Sequence, residues 1–401
     1  MNDRRPFRVV VCALGLIMPF GVVDRSDAQE LPVDQEVTPV SEQGVGAEPS
    51  PEGLRLNASL GGGWDSNASF EPGGPGSGAA FGQAGIARTW TTPRWTTSIN
   101  LGGGGSVYQT EAATSRYQLG GGLDTSGQLG TRTTISLGAT GGIERTDLLE
   151  DPLTAGLVLP ITSTRRFQGQ VGLGRALGAQ TQLSLSAGYG RYYFDAEELS
   201  DSEGMNAGAQ LSRTISPKST VSLGYGFQTS LYEETSPSQT HSLSLGFGRT
   251  LSPRTSLSLS AGGDQRRVDG VSGGWILSGD AAFILQGSRT SLSLRYSRGV
   301  TPAPGLGRDR ISNLFSLGLT SRLRPWATLS MSGSRGLNQD PVDRDLHYST
   351  DTLSLGLNLR LTQTLGIGPQ LRYRRRGEID DNPAVSSVSV GLALEYATWL
   401  R

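Results

Sequence analysis

The chain has 401 residues, with 35 Lys and Arg against 36 Asp and Glu, a net charge of -1 and a mean hydropathy of -0.26. So even a balance gives no electrostatic pull toward nucleic acid or an anionic lipid surface, and no nucleic-acid partner is expected. No stretch approaches the roughly 18 consecutive apolar residues of a membrane helix, and Cys12, the only cysteine, stands in a segment expected to be removed. Disulfides, thiol catalysis and Cys-based metal sites are thereby excluded from the mature chain.

Residues 1–28 read as a signal peptide. Arg4, Arg5 and Arg8 form a basic start, residues 9–23 an apolar core, and Ser26-Asp27-Ala28 a small-residue cleavage site. Residues 29–53 read as a disordered acidic periplasmic leader: Glu30, Asp34, Glu36, Glu42, Glu48 and Glu52 are met by no basic residue, and prolines recur. This leader is far too short to be the globular plug of an active-uptake receptor.

Residues 54–401 change character. Val221, Leu223, Tyr225 and Phe227 alternate with Ser222, Gly224 and Gly226, and a period of two places the two sets on opposite faces of a strand. The phrase recurs: LSRTISPKSTVSLGYGF starts at Leu211 and GFGRTLSPRTSLSLSAGG at Gly246, with looser copies from Gly174 and Thr320. Short polar turns at 91–94, 129–132, 177–180, 216–219, 252–255, 287–290, 324–327 and 362–364 alternate with longer connections. The longer ones are expected after Phe70, at 147–163, 196–203, 264–274, 301–309 and 338–347, with shorter ones after Gln109, Glu233 and Arg376.

Nine loops and eight turns give eighteen strands. The reading is an all-β transmembrane antiparallel barrel in the outer membrane of a Gram-negative bacterium, with both termini periplasmic. A β-solenoid would repeat at a constant short period without alternating long and short connections. The apolar phase would meet lipid, and the outer rim lipopolysaccharide. Aromatic girdles are expected from Trp90, Trp95, Trp326 and Trp399 at the turn end, and from Tyr108, Tyr192, Tyr193, Phe194, Tyr232, Trp275 and Tyr348 at the loop end.

The other phase would line the lumen with small polar residues such as Ser184, Ser186, Ser256, Ser258 and Ser260. Arg295, Arg360, Arg372 and Arg374 share that phase, as do Gln370 and Glu395, and on an earlier strand Gln168 and Gln170 with Arg166. Guanidinium groups on a pore wall suit carboxylate, sulfate or phosphate, so these residues are candidates for the substrate path. The alternative is that they brace the wall against Glu395, Asp280 or loop acids. No constellation for catalysis, metal or cofactor emerges. His241 and His347 stand near strand ends, and the Asp345, His347, Ser349 proximity merely shares one strand face.

The stretch SVGLALEY at 389–396 resembles the C-terminal signal by which the barrel assembly machinery recognises its clients, carried by Ser389, Gly391, Leu394 and Tyr396. The SPRT-type turns between LSLS-like strands, with WDSN at 64–67, resemble bacterial outer-membrane barrels that accompany exopolysaccharide biosynthesis and exosortase-type systems. That resemblance implies a conduit for a secreted polysaccharide, working with a periplasmic export protein. Two alternatives stand beside it. One is a diffusion porin whose 147–163 loop folds into the lumen; the other is a structural or adhesive barrel with a closed lumen.

Overall fold

The computed structural model describes residues 53–110, 114–149, 157–233, 235–268, 271–340, 347–378 and 383–400; the signal peptide and all but the last residue of the expected leader lie outside them. Eighteen strands follow in chain order. They are β1 (Gly53–Asp65), β2 (Ser77–Thr91), β3 (Trp95–Tyr108), β4 (Arg116–Gln128), β5 (Thr133–Leu149) and β6 (Leu157–Ala176). Then come β7 (Thr181–Phe194), β8 (Ser202–Ser216), β9 (Ser219–Tyr232), β10 (Ser238–Ser252), β11 (Thr255–Val268) and β12 (Val271–Gln286). The last are β13 (Thr290–Ala303), β14 (Arg308–Arg324), β15 (Ala327–Gln339), β16 (His347–Arg360), β17 (Leu365–Arg376) and β18 (Val385–Leu400).

Every strand pairs antiparallel with its neighbours in sequence, and β1 pairs with β18 from Leu54 opposite Leu400 to Asp65 opposite Ser389. The sheet is therefore a closed barrel with no free edge. In lipid this is required, because nothing there can satisfy an unpaired backbone N–H or C=O. Eight turns of two to four residues, the start of β1 and the end of β18 lie at one end of the barrel; the other nine connections, of two to eleven residues, lie at the other.

Exposure follows the two-residue period. Leu60, Leu245 and Leu277 are 67–71 % exposed, and large apolar side chains such as Leu119, Leu223, Phe315, Leu355 and Leu392 are exposed in the same phase of their strands. A soluble protein would bury these groups; an outer face of leucines is stable only against hydrocarbon. The opposite phase carries Ser, Thr, Gly, Gln and many of the charged groups, and forms the lumen wall.

Two expectations are corrected. Several segments expected as loops continue the strands: β5 and β6 run on through residues 147–149 and 157–163, and beyond an irregularity after Thr146 the ladder resumes with Leu148 opposite Val158 and Leu149 opposite Leu157. Residues 264–268 and 271–274 likewise continue β11 and β12. Polar residues beyond the lipid belt still satisfy their backbone by pairing, so the change in polarity marks the end of the membrane belt rather than the end of the strand. The loop-end girdle is corrected as well. Tyr193 and Trp275 are exposed, but Tyr192 and Tyr232 are buried, and Phe194 and Tyr348 pack against Ala303. Tyr192, Tyr232 and Tyr348 have the lumen parity of their strands and turn inward. At the turn end Trp90, Trp95 and Trp326 are exposed; the Trp399 side chain lies outside the description.

Candidate functional site: the lumen and its loop-end mouth

Two segments fold inward over the loop end. The first is the β1–β2 connection, residues 66–76. Asp65 ends β1 in lumen phase and is 3 % exposed. Its Oδ2 accepts a hydrogen bond from Arg374 Nη2 of β17 at 3.4 Å, and its Oδ1 accepts from the Asn67 backbone N–H at 3.0 Å and from the Ser387 hydroxyl of β18. The Asn67 carboxamide donates to the carbonyls of Glu71 at 2.8 Å and Ser386 at 3.3 Å, and accepts from the Glu71 N–H. Phe70 packs on Val385 beneath the Arg374 guanidinium, 4.8 Å from the ring centre. Across β2 and β3, Arg116 Nη2 donates to the Ala68 carbonyl at 3.0 Å. Phe70 has φ 55, a backbone conformation costly for an aromatic residue and retained here by burial.

The second segment is the β13–β14 hairpin. Asp309, 2 % exposed, accepts from the Tyr232 hydroxyl of β9 and from Arg266 Nε of β11, each at 2.9 Å. At the tip, Ser200 and Gly305 exchange backbone hydrogen bonds of 3.0 and 3.1 Å, and the Thr235 hydroxyl donates to the Gly307 carbonyl. Ala303 is sealed among Phe194, Leu199, Leu306 and Tyr348. Pro302 and Pro304 enclose about 30 Å³ against the lumen side chains Tyr192, Asn206, Gln228 and Tyr232. The hairpin thus reaches past five strands, β12 to β8, to the β7–β8 connection inside the mouth.

The porin expectation placed the inward segment at residues 147–163. The described part of that region is a strand extension, and its tip at 150–156 lies outside the description. Among the described residues, the β13–β14 hairpin stands over the lumen.

The sequence-predicted path residues are distributed unevenly. Arg360 of β16, Gln370, Arg372 and Arg374 of β17 and Glu395 of β18 form one sector, in which Arg360 opposes Gly366 and Gly366 opposes Glu395. Arg295 stands apart on β13, opposite Ser316. Glu395 accepts a hydrogen bond from the Asn358 carboxamide, and Asp280 from the Ser260 hydroxyl at 3.1 Å. Arg374 is buried in its pair with Asp65, so it stands in the anchor of the first inward segment. In the assembly-signal stretch, Leu394 and Tyr396 are exposed on the outer face, while Ser389 and Gly391 carry the lumen parity of β18. Asp65, Tyr232, Arg266 and Asp309 were not among the expected site residues; strand parity points the first three inward, whereas Asp309 shares the phase of the exposed Phe315 and is buried because the hairpin folds over the mouth.

A closed eighteen-stranded antiparallel barrel with an apolar outer face and a polar lumen is an outer-membrane barrel with a channel-like fold. No family model matches the chain, and no curated protein does. Solved structures of similar shape include the siderophore receptor PirA from Acinetobacter baumannii, at 6 % identity and TM-score 0.48 over 88 % of this chain and 81 % of that one. Others are OccAB3 from the same organism, at 10 % identity and TM-score 0.46 over 88 % and 100 %, and OpdL from Pseudomonas aeruginosa, at 13 % and 0.45 over 88 % and 100 %.

Proposed function

We propose that this barrel is a passive outer-membrane channel for hydroxyl-rich solutes, with its termini and short turns on the periplasmic side. The observation that carries the reading is the lumen wall of β7 to β11. Ser184, Ser186, Ser222, Ser242, Ser244, Ser256 and Ser258 follow one another there, interleaved with glycines. Small hydroxyls exchange hydrogen bonds with water and with sugars at little net free-energy difference, and conduction needs weak contacts at many sites.

Two finer readings divide on the cargo. Passage of a secreted polysaccharide delivered by a periplasmic export protein is supported by the sequence resemblance, whose WDSN motif supplies Asp65 and Asn67 to the mouth. A diffusion porin is supported by the β13–β14 hairpin, placed where a size filter would act. Single-channel recording of the refolded mature barrel, with graded neutral polymers added from each side, separates them. A sharp small-solute cutoff from both sides favours the porin, and entry of long saccharide chains from the turn end favours export. Electrical silence from folded protein would sink both and leave a structural or adhesive barrel.

A further inference from the structure

We propose that the turn-end half of the lumen holds a site for a neutral oligosaccharide segment, built by the carboxamides of Gln128 on β4, Gln170 on β6, Gln182 on β7 and Gln210 on β8. The proposal rests on the reading of the barrel as a channel for hydroxyl-rich solutes, and assigns that channel a location and a solute class. All four residues lie in lumen phase around one cavity of about 710 Å³, bordered at the turn end by the β2–β3 turn with Arg94. Ligand sites commonly occupy about 300–1,000 Å³. Gln128 and Gln170 are exposed to the bore, and Gln182 and Gln210 half-exposed.

The chemistry selects the ligand. A carboxamide presents two N–H donors and one acceptor oxygen, and a sugar hydroxyl both donates and accepts. A ring with several hydroxyls therefore finds partners for both roles among four amides and the Ser184 hydroxyl. A carboxylate or sulfate would need a surplus of donors, preferably cationic. Among the described residues, the only cation lining this cavity is Arg94, on the turn at its edge. An acid stands close by: Gln170 Nε2 and Asp124 Oδ1 both approach Gly138, 2.8 and 3.0 Å from where a Cβ would sit. That carboxylate opposes an anionic chain at this wall; the lumen-phase arginines of the same strands, Arg116 on β4 and Arg166 on β6, stand nearer the loop end and do not line the cavity. Trp95, the one aromatic residue bordering the cavity, lays its ring over Gly127 in the outward phase, so no ring stacks on the sugar and contact stays weak enough for passage.

The test is saturation-transfer NMR on the full mature barrel in detergent, with maltohexaose as the neutral probe and an oligogalacturonate of equal length as the acidic one. The expected result is transfer to maltohexaose that exceeds transfer to the acidic chain. In the quadruple variant Gln128→Ala, Gln170→Ala, Gln182→Ala, Gln210→Ala, apparent affinity should fall about tenfold, as loss of a few weak hydrogen bonds implies. Should that variant fail to fold, Gln170→Ala alone and the pair Gln182→Ala, Gln210→Ala should each give part of the loss. No transfer in the parent barrel, equal transfer in the variants, or preference for the acidic chain would overturn the proposal. Binding is read here without an open pore. An electrically silent barrel would therefore sink the channel reading alone, and a conducting barrel that ignores maltohexaose would sink this inference alone.

Discussion

Asp65 and Arg374 meet across the seam where β17, β18 and β1 run side by side, and both are almost wholly withdrawn from water. Truncating either partner leaves a buried charge without compensation, which costs about 3–5 kcal/mol, whereas replacing both with apolar groups of similar volume is much milder. Urea unfolding of the refolded barrel should therefore show Asp65→Ala and Arg374→Ala each strongly destabilised, and the double variant Asp65→Leu, Arg374→Met closer to the parent. Equal losses in all three would mean that the pair does not anchor the mouth. Because Arg374 is structural in this sense, the anion preference of the lumen is better tested at Arg295, Arg360 and Arg372. Their triple replacement by Ser should move the reversal potential of a salt gradient toward cation preference while the barrel still folds. Gly61 shows the opposite constraint: a Cβ there would meet the Leu392 carbonyl and the Phe81 ring at 2.5 Å. Gly61→Ala should lower stability by about 1–3 kcal/mol, the usual cost of overpacking.

At the scale of the elements, the β13–β14 hairpin is pinned at both its base and its tip. Asp309→Asn keeps an acceptor for the Tyr232 hydroxyl but removes the charge that pairs with Arg266. The hairpin should then sample open positions, seen as a higher mean conductance and more gating events per second. Replacing residues 303–307 by a two-residue turn should remove the gating and leave the larger conductance. Unchanged recordings in both would show that the hairpin does not limit flow. How much of this was legible in the sequence differs by element. Strand number, seam and the leucine face were readable, because a period of two is written in every strand and the turns punctuate it. The inward aromatic residues were readable too, since Tyr192 has the parity of Ser184 and Ser186, and Tyr232 that of Ser222. Assigning them by nearness to a strand end hid this. The Asp309, Tyr232 and Arg266 contact was not readable, because it joins three strands across the lumen with no local pattern. The same holds for Arg374, whose parity placed it inside while only the fold of residues 66–76 decided that it would be buried.

At the scale of the whole molecule, the barrel has two chemically distinct ends, and their orientation in the membrane fixes which face of the cell each loop sees. The proposed orientation puts the eight turns and both termini in the periplasm. Lys218, the only lysine of the chain, is exposed in the two-residue turn between β8 and β9, at that end. It is therefore the single lysine side-chain amine, and it stands on the turn face. An amine-reactive reagent that cannot cross the outer membrane should leave Lys218 unmodified in intact cells and modify it fully after permeabilisation, as read by mass spectrometry of the peptide spanning the turn. The barrel is too rigid for a turn at one rim to appear at the other, since every strand is paired on both sides. Modification in intact cells would thus mean that the nine connections of the other end, the β13–β14 hairpin among them, face the periplasm, and that the constriction guards the entry of an exported chain rather than its exit.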